Sequence, residues 1–191
     1  MSMTEWYVVQ VLKDREQAMA EHIAQVVPAS VVPECFYPRF ATEIKVRGRW
    51  VEVEKPLFPG YLIAVTNEPQ KLDRALIDMQ DFARVLKQGE AYAPLAREER
   101  EIIGGFTKPG ERVVPMSMAV KQGDRVVVTS GPLVGREGLI KEVNRRKSIA
   151  VLELDLCGRK VSTRVGLGIV SAPETPAGKR AELYVRELQK A

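Results

Sequence analysis

The chain has 191 residues, 45% hydrophobic and 28% charged, with a formal net charge of +4, which fits an ordinary soluble globular protein of one or two domains. No apolar run approaches the roughly 18 residues of a membrane helix, and Met1-Ser2-Met3-Thr4-Glu5 lacks the basic-then-apolar pattern of a signal peptide, so a cytoplasmic protein without membrane contact is expected. One histidine, His22, and two distant cysteines, Cys35 and Cys157, cannot build a standard zinc site, and both thiols read as free and buried in a reducing compartment.

Trp6 to Leu12 is rich in aromatic and β-branched residues and reads as a strand. Asp14 offers an N-cap, with Gln17 three residues on in a capping-box arrangement. Met19, Ile23, Val26 and Val27 then make one apolar stripe of a helix that ends before Pro28. Cys35 to Val46 reads as a second, loosely patterned strand. Lys45-Val46-Arg47-Gly48-Arg49-Trp50 is a turn with three basic residues, Lys45, Arg47 and Arg49, that either meets nucleic acid or keeps a sheet edge soluble. Val51 and Val53 return in extended form.

In Pro56-Leu57-Phe58-Pro59-Gly60-Tyr61-Leu62-Ile63-Ala64-Val65, two prolines force an extended approach, and Gly60 releases the backbone before a wholly apolar strand. A strand apolar on both faces suits the centre of a sheet. It also carries more apolar side chains than one helical layer covers. Phe58, Tyr61 and Ile63 are therefore expected to leave a concave patch suited to a partner helix. Pro69–Met79 reads as a helix with Leu72, Ala75, Leu76 and Met79 on one face, and Phe82–Leu86 as another strand. Pro94–Phe106 reads as a helix that Gly104 and Gly105 end. These elements make an α+β sandwich, an antiparallel sheet with helices packed on one face. Thr107–Ser117, with two prolines, a glycine and no periodicity, reads as a linker.

Residues 118–170 carry ten Lys/Arg and five Asp/Glu, net +5, whereas residues 1–117 carry net −2. The basic excess points to a polyanionic partner for the second segment, or to a solvated basic face. Its centre is the run Gly123 to Val143. Alternating valines, Gly131-Pro132, Gly135 and Gly138 suggest two short strands flanking a tight turn. Strands are expected near Arg125–Thr129, Gly138–Asn144, Ser148–Asp155 and Lys160–Val165, with Arg145-Arg146-Lys147 at a hairpin tip. Some 50 residues suffice for a small β-barrel. Arg159, Lys160 and Arg164 on the next strands are expected to extend the same positive face. The division is thus 1–106, a linker 107–117, 118–170, and a tail 171–191.

The Gly123–Val143 run resembles the KOW motif, the opening of a small SH3-like barrel. Together with the Trp6-Tyr7 start and Phe58-Pro59-Gly60-Tyr61, it resembles the NusG family over roughly residues 5–170. That resemblance implies an N-terminal domain that binds RNA polymerase at its clamp helices and favours elongation by holding the clamp closed. It implies as well a KOW β-barrel, here without the helical hairpin of autoinhibited RfaH. Val46–Arg49 through Pro56–Pro59, the basic tip and Gly158-Arg159-Lys160-Val161 look like the specialised LoaP and RfaH-type antiterminators. Two positions depart from housekeeping members: Leu133 and Cys157 stand where those carry aromatics that engage Rho or a small-subunit ribosomal protein, so neither partnership is expected. The region near Leu72-Asp73-Arg74 lacks the His-Thr-Thr run of RfaH. The resulting expectation is a monomeric, non-enzymatic elongation or antitermination factor without cofactor or metal, serving specific operons. It would bind polymerase through Phe58, Tyr61 and Ile63, and nascent RNA or an exposed DNA strand through its basic residues. The alternatives are a housekeeping NusG elongation and termination factor, or, in a different class, a KOW protein that binds RNA or the ribosome.

Overall fold

The computed structural model describes residues 4–107, 110–122 and 125–171. The first domain runs β1 (Glu5–Val11), α1 (Glu16–Val26), β2 (Glu34–Phe36), β3 (Arg39–Val46), β4 (Arg49–Pro56), β5 (Tyr61–Thr66), α2 (Pro69–Asp78), β6 (Ala83–Val85), β7 (Lys87–Gln88), β8 (Ala91–Tyr92), α3 (Arg97–Phe106) and β9 (Val113–Val114). Its main sheet is antiparallel, in the order β2-β5-β1-β6. Val8 lies opposite Ile63 and Val9 opposite Leu62, while Phe36 flanks Ile63 on the other side.

Strand alternation sorts this sheet into two apolar faces. Tyr7, Val9, Val11, Leu62 and Ala64 pack against Met19 and Ile23 of α1 and Leu72 and Leu76 of α2. Trp6, Val8, Phe36, Ile63 and Val65 lie on the opposite face, in a cluster with Ile103 and Phe106 of α3 and much of the second domain's core. The helices therefore do not share one face. α1 and α2 cover the first, and α3 lies on the second, together with Phe40 of β3, Val114 of β9 and Leu57 and Leu95.

Several local expectations give way to tertiary context. Asp14 takes a left-handed φ of 66°; α1 begins at Glu16 behind Arg15, with no side-chain cap. The buried Glu16 carboxylate instead accepts the Gly60 N–H at 2.6 Å, tying α1 to the turn before β5. The single strand expected over Cys35–Val46 breaks at Tyr37-Pro38, so β2 and β3 serve different sheets. Gly104 and Gly105 lie inside the last turn of α3 rather than ending it. A Cβ on Gly105 would sit 3.0 Å from the Arg136 guanidinium, whereas one on Gly104 would make only an ordinary contact with the Trp6 ring at 4.0 Å.

The second domain comprises β10 (Ser117–Gln122), β11 (Arg125–Ser130), β12 (Ile140–Asn144), β13 (Ile149–Leu156) and β14 (Arg159–Ser171). They form one curled sheet, in the order β11-β10-β14-β13-β12, the SH3-like arrangement. β14 is long enough to pair antiparallel with β13 over Arg159–Gly166 and then parallel with β10 over Leu167–Ser171. β11 and β12, read from the sequence as flanking one turn, sit at opposite edges of this sheet. A 3-10 turn at Glu137–Leu139 takes up Gly138. β10 itself was not anticipated; only tertiary pairing makes Ser117–Gln122 a strand. Gly123 and Asp124 of the motif, and all of the expected tail 171–191 beyond Ser171, lie outside the described residues.

The stretch 107–117, read as a linker, is held where it is described. Val113-Val114 form β9, parallel to Arg39-Phe40 of β3. Arg112 adopts a left-handed φ of 51° and is 7% exposed. Its guanidinium makes a bidentate pair with Glu34, at 2.8 and 2.6 Å, and lies 4.1 Å from the Phe36 ring centroid. Planar bidentate geometry with aromatic stacking is the arrangement arginine serves best.

Candidate functional site

The three residues expected to meet a partner helix converge on the second face of the main sheet. Pro56 and Pro59 bracket Leu57 and Phe58, and Gly60 takes a left-handed φ of 83°; the Gly60 carbonyl accepts the Val11 N–H at 2.9 Å. That turn delivers Tyr61 to the start of β5. Ile63 is 1% exposed and Phe58 3%, while Tyr61 is half-buried opposite Gln10. All three pack into the apolar cluster that also holds the barrel residues Val128, Leu133, Leu152, Leu154 and Val165. The surplus apolar surface is thus present, and the chain covers it with its own second domain.

Polar contacts fasten that cover at three places. Thr163 Oγ1 donates to the Leu57 carbonyl in the Pro-Leu-Phe-Pro stretch. Glu99, in the first turn of α3, accepts from the Ala96 N–H at 2.5 Å and the Cys157 N–H at 2.8 Å. Thr42 Oγ1 of β3 donates to the Ser148 carbonyl at 3.1 Å. Beside Thr42 the backbones nearly touch, since a Cβ on Gly166 of β14 would collide with the Ala41 carbonyl oxygen. Arg136 lays its guanidinium 4.9 Å from the Phe106 ring centroid. Burial, followed by the Glu99 charge, pushes the Cys157 thiol up to about 11, against a small opposing effect of Arg159. Burial pushes Cys35 up to about 12. Both thiols are free and protonated near neutrality, which makes them poor nucleophiles. Leu133 is 1% exposed and belongs to this shared core.

The basic residues fall into two groups. In the first domain, β3 and β4 form a hairpin whose two-residue turn is Arg47-Gly48, with φ of 48° and 84°. A pair of positive φ values marks the type I′ geometry that matches strand twist. Lys45, Arg47 and Arg49 are all exposed there, as is Trp50, at 53%, directly across from Lys45. In the second domain, Arg145, Arg146 and Lys147 form an exposed 3-10 turn. Asn144 Oδ1 caps it by accepting the Lys147 N–H at 3.1 Å, and Ser148 closes it at a φ of 50°. The Thr42–Ser148 bond brings this turn to the flank of the hairpin. Arg164 lies two residues from Gly166, on the same side of the barrel. Arg159 and Lys160 do not join them. They open β14 opposite Leu156 and Asp155, at the other end of β13 from Ile149. Seven residue steps of strand, about 23 Å, separate the two ends, and Lys160 pairs with Glu153 at 3.2 Å.

Sequence reasoning missed Arg112, Glu99, Thr163 and Gly166. Each acts through a contact more than 50 residues away in the chain, and none lies in a motif. Gly166 alone carried a signal: a glycine inside a strand marks a close backbone approach.

Comparison with known proteins bears on most of the chain. The family described as "Transcription termination factor nusG" matches residues 4–104, and the KOW motif matches residues 122–153. The transcription termination/antitermination protein NusG of Rickettsia typhi is 24% identical over 164 residues, which is 83% of this chain and 84% of that protein. Its namesake in Thermus thermophilus is 24% identical over 168 residues, covering 82% and 91%. A solved structure described as "Domain interaction in Thermotoga maritima NusG" superposes with a TM-score of 0.54 at 20% identity. It covers 86% of this chain and 93% of that one, a likeness of fold.

Proposed function

This chain belongs to the NusG family, and from that premise we propose that it is a cytoplasmic, monomeric transcription elongation and antitermination factor. It binds the clamp helices of RNA polymerase through Phe58, Tyr61 and Ile63, and contacts nascent RNA or the exposed DNA strand with its basic elements. The observation that carries this reading is the second face of the main sheet. Its apolar side chains are covered largely by a separate domain, docked through a few polar contacts. Moving that domain would uncover a surface suited to an amphipathic partner helix.

Within the family, a specialised factor for particular operons is favoured over a housekeeping one. Leu133, where housekeeping members present an aromatic to Rho or a ribosomal protein, is buried at 1% exposure, and Cys157 is held against Glu99 and Ala93. Neither offers a surface for those partners while the domains are docked.

Tyr61→Ala tests the polymerase assignment. Half-buried at the rim of the cluster, Tyr61 loses less packing on truncation than Phe58 or Ile63 would. The variant is expected to keep the wild-type circular dichroism spectrum and to lose co-elution with RNA polymerase. Undiminished co-elution would contradict the assignment.

A further inference from the structure

We propose that the Lys45/Arg47/Arg49 hairpin tip and the Arg145/Arg146/Lys147 turn form one composite site for a single nucleic-acid strand, assembled only while the two domains are docked. The inference rests on the reading above that both elements contact nucleic acid, and goes beyond it by joining them.

The Thr42–Ser148 hydrogen bond, at 3.1 Å, is the joint. From Thr42, β3 runs three residues to Lys45 and five to Arg47, about 10 to 17 Å at strand rise. From Ser148, the chain runs back one to three residues through Lys147, Arg146 and Arg145. The six exposed cations, from segments about 100 residues apart, therefore all stand within about 17 Å of one joint in the docking seam. None of the six forms a salt bridge among the described residues, whereas Lys160, in the group at the far end of β13, is paired. Glu43 and Glu52 face each other two residues behind Lys45 and Trp50, on the same face, which confines the positive potential of the hairpin to its tip.

The ligand chemistry follows from what stands among the cations. Trp50 is 53% exposed opposite Lys45, and Val46 and Val51 are exposed beside it at 44% and 43%. An accessible indole beside Lys45 on one face of the hairpin tip, and exposed valines beside Arg49 on the other, suit unstacked bases on a phosphate backbone that wraps the tip, the combination that single-strand binders use. A duplex would offer its phosphates to the cations but no base face to Trp50.

The seam makes the site conditional. Gly166 permits the approach of β14 to Ala41, so Gly166→Val separates the two cation groups while keeping all six charges. The test uses the full chain and a fluorescein-labelled 12-nucleotide single-stranded RNA, the same sequence as single-stranded DNA, and a blunt duplex competitor, over a salt series. One strand per chain is expected, with the duplex competing poorly. Each counterion-releasing cation contributes about 0.7 to the salt slope for a single strand, so either triple alanine variant should lower it by about 2, both together by about 4, and Gly166→Val by about 2. Trp50→Ala should weaken single-strand binding severalfold.

RNA preference and DNA preference both support the site and identify its source. Two strands per chain, with only one triple variant altering the tighter event, would overturn the composite site and leave the nucleic-acid reading standing. So would wild-type affinity and slope in a folded Gly166→Val protein. If neither triple variant changes binding, both readings fall. A duplex that outcompetes the single strand would overturn the ligand assignment. Should Gly166→Val not fold, Thr42→Val and the pair of triple variants decide the matter by the same slopes.

Discussion

The two faces of the main sheet are equally apolar, and they are covered by different means. Helices α1 and α2 lie on the face of Val9, Leu62 and Ala64, and each directly follows a strand of that sheet, β1 or β5, in the chain. The face of Val8, Ile63 and Phe36 is covered only in part by nearby residues such as Phe40 and Leu57, and otherwise by α3, by Arg112 and by a domain that begins about 50 residues after β5. A cover supplied by neighbouring segments closes short loops and belongs to the fold. A cover supplied by a remote domain closes a long one and rests on its own seam, here Thr163–Leu57, Glu99–Cys157 and Thr42–Ser148. The first kind is suited to permanence and the second to exchange with a partner.

The comparison breaks if the two faces respond alike. The largest expected effect is on the permanent face. Leu62→Ala, at a fully buried position against α1 and α2, should destabilise the full chain by about 2–5 kcal/mol, read as a drop in the denaturant midpoint. A loss below about 1 kcal/mol would mean that the helix-covered face is not the rigid one.

A smaller effect is expected at the seam. Burial and Glu99, across the seam, hold the Cys157 thiol at about 11, well above the ordinary value near 8.5. At pH 8 the docked thiol is almost wholly protonated. Gly166→Val, by opening the seam, should raise its alkylation rate about tenfold or more, since the thiolate is the reactive form. The sign carries over to stability. A thiol whose value is raised in the docked state favours docking fully below the ordinary thiol range and loses that contribution as pH rises through about 11. Docking should therefore weaken in alkaline solution. Equal alkylation of wild type and variant would show that the seam does not protect Cys157.

What the sequence made legible follows the same division. The β1 and β5 strands, the α1 stripe and the barrel strands were readable because their signals are local: periodicity within ten residues, proline and glycine punctuation, and the KOW run. The surplus of apolar residues on β5 was also readable, and Phe58, Tyr61 and Ile63 do share one cluster. Which partner covers them was not, because Thr163, Glu99 and Arg112 act across 58 to 106 residues. The same limit explains the basic residues. Spacing along the chain grouped Arg159 and Lys160 with Arg145–Lys147, whereas the β13–β14 register puts a strand length between them and the Thr42–Ser148 contact puts the β3–β4 hairpin there instead. Asp14 does not cap α1: it takes a left-handed φ one residue before the N-cap position, Arg15, while Glu16 in the first turn is bonded to Gly60.

The most direct test titrates RNA polymerase with wild-type protein and with Gly166→Val. If the second domain competes with polymerase for the Phe58/Tyr61/Ile63 face, apparent affinity is the intrinsic affinity multiplied by the fraction of chains that are undocked. Opening the seam should then tighten polymerase binding severalfold, and Tyr61→Ala in the same background should abolish the gain. Unchanged or weaker binding by a folded Gly166→Val protein would contradict the account.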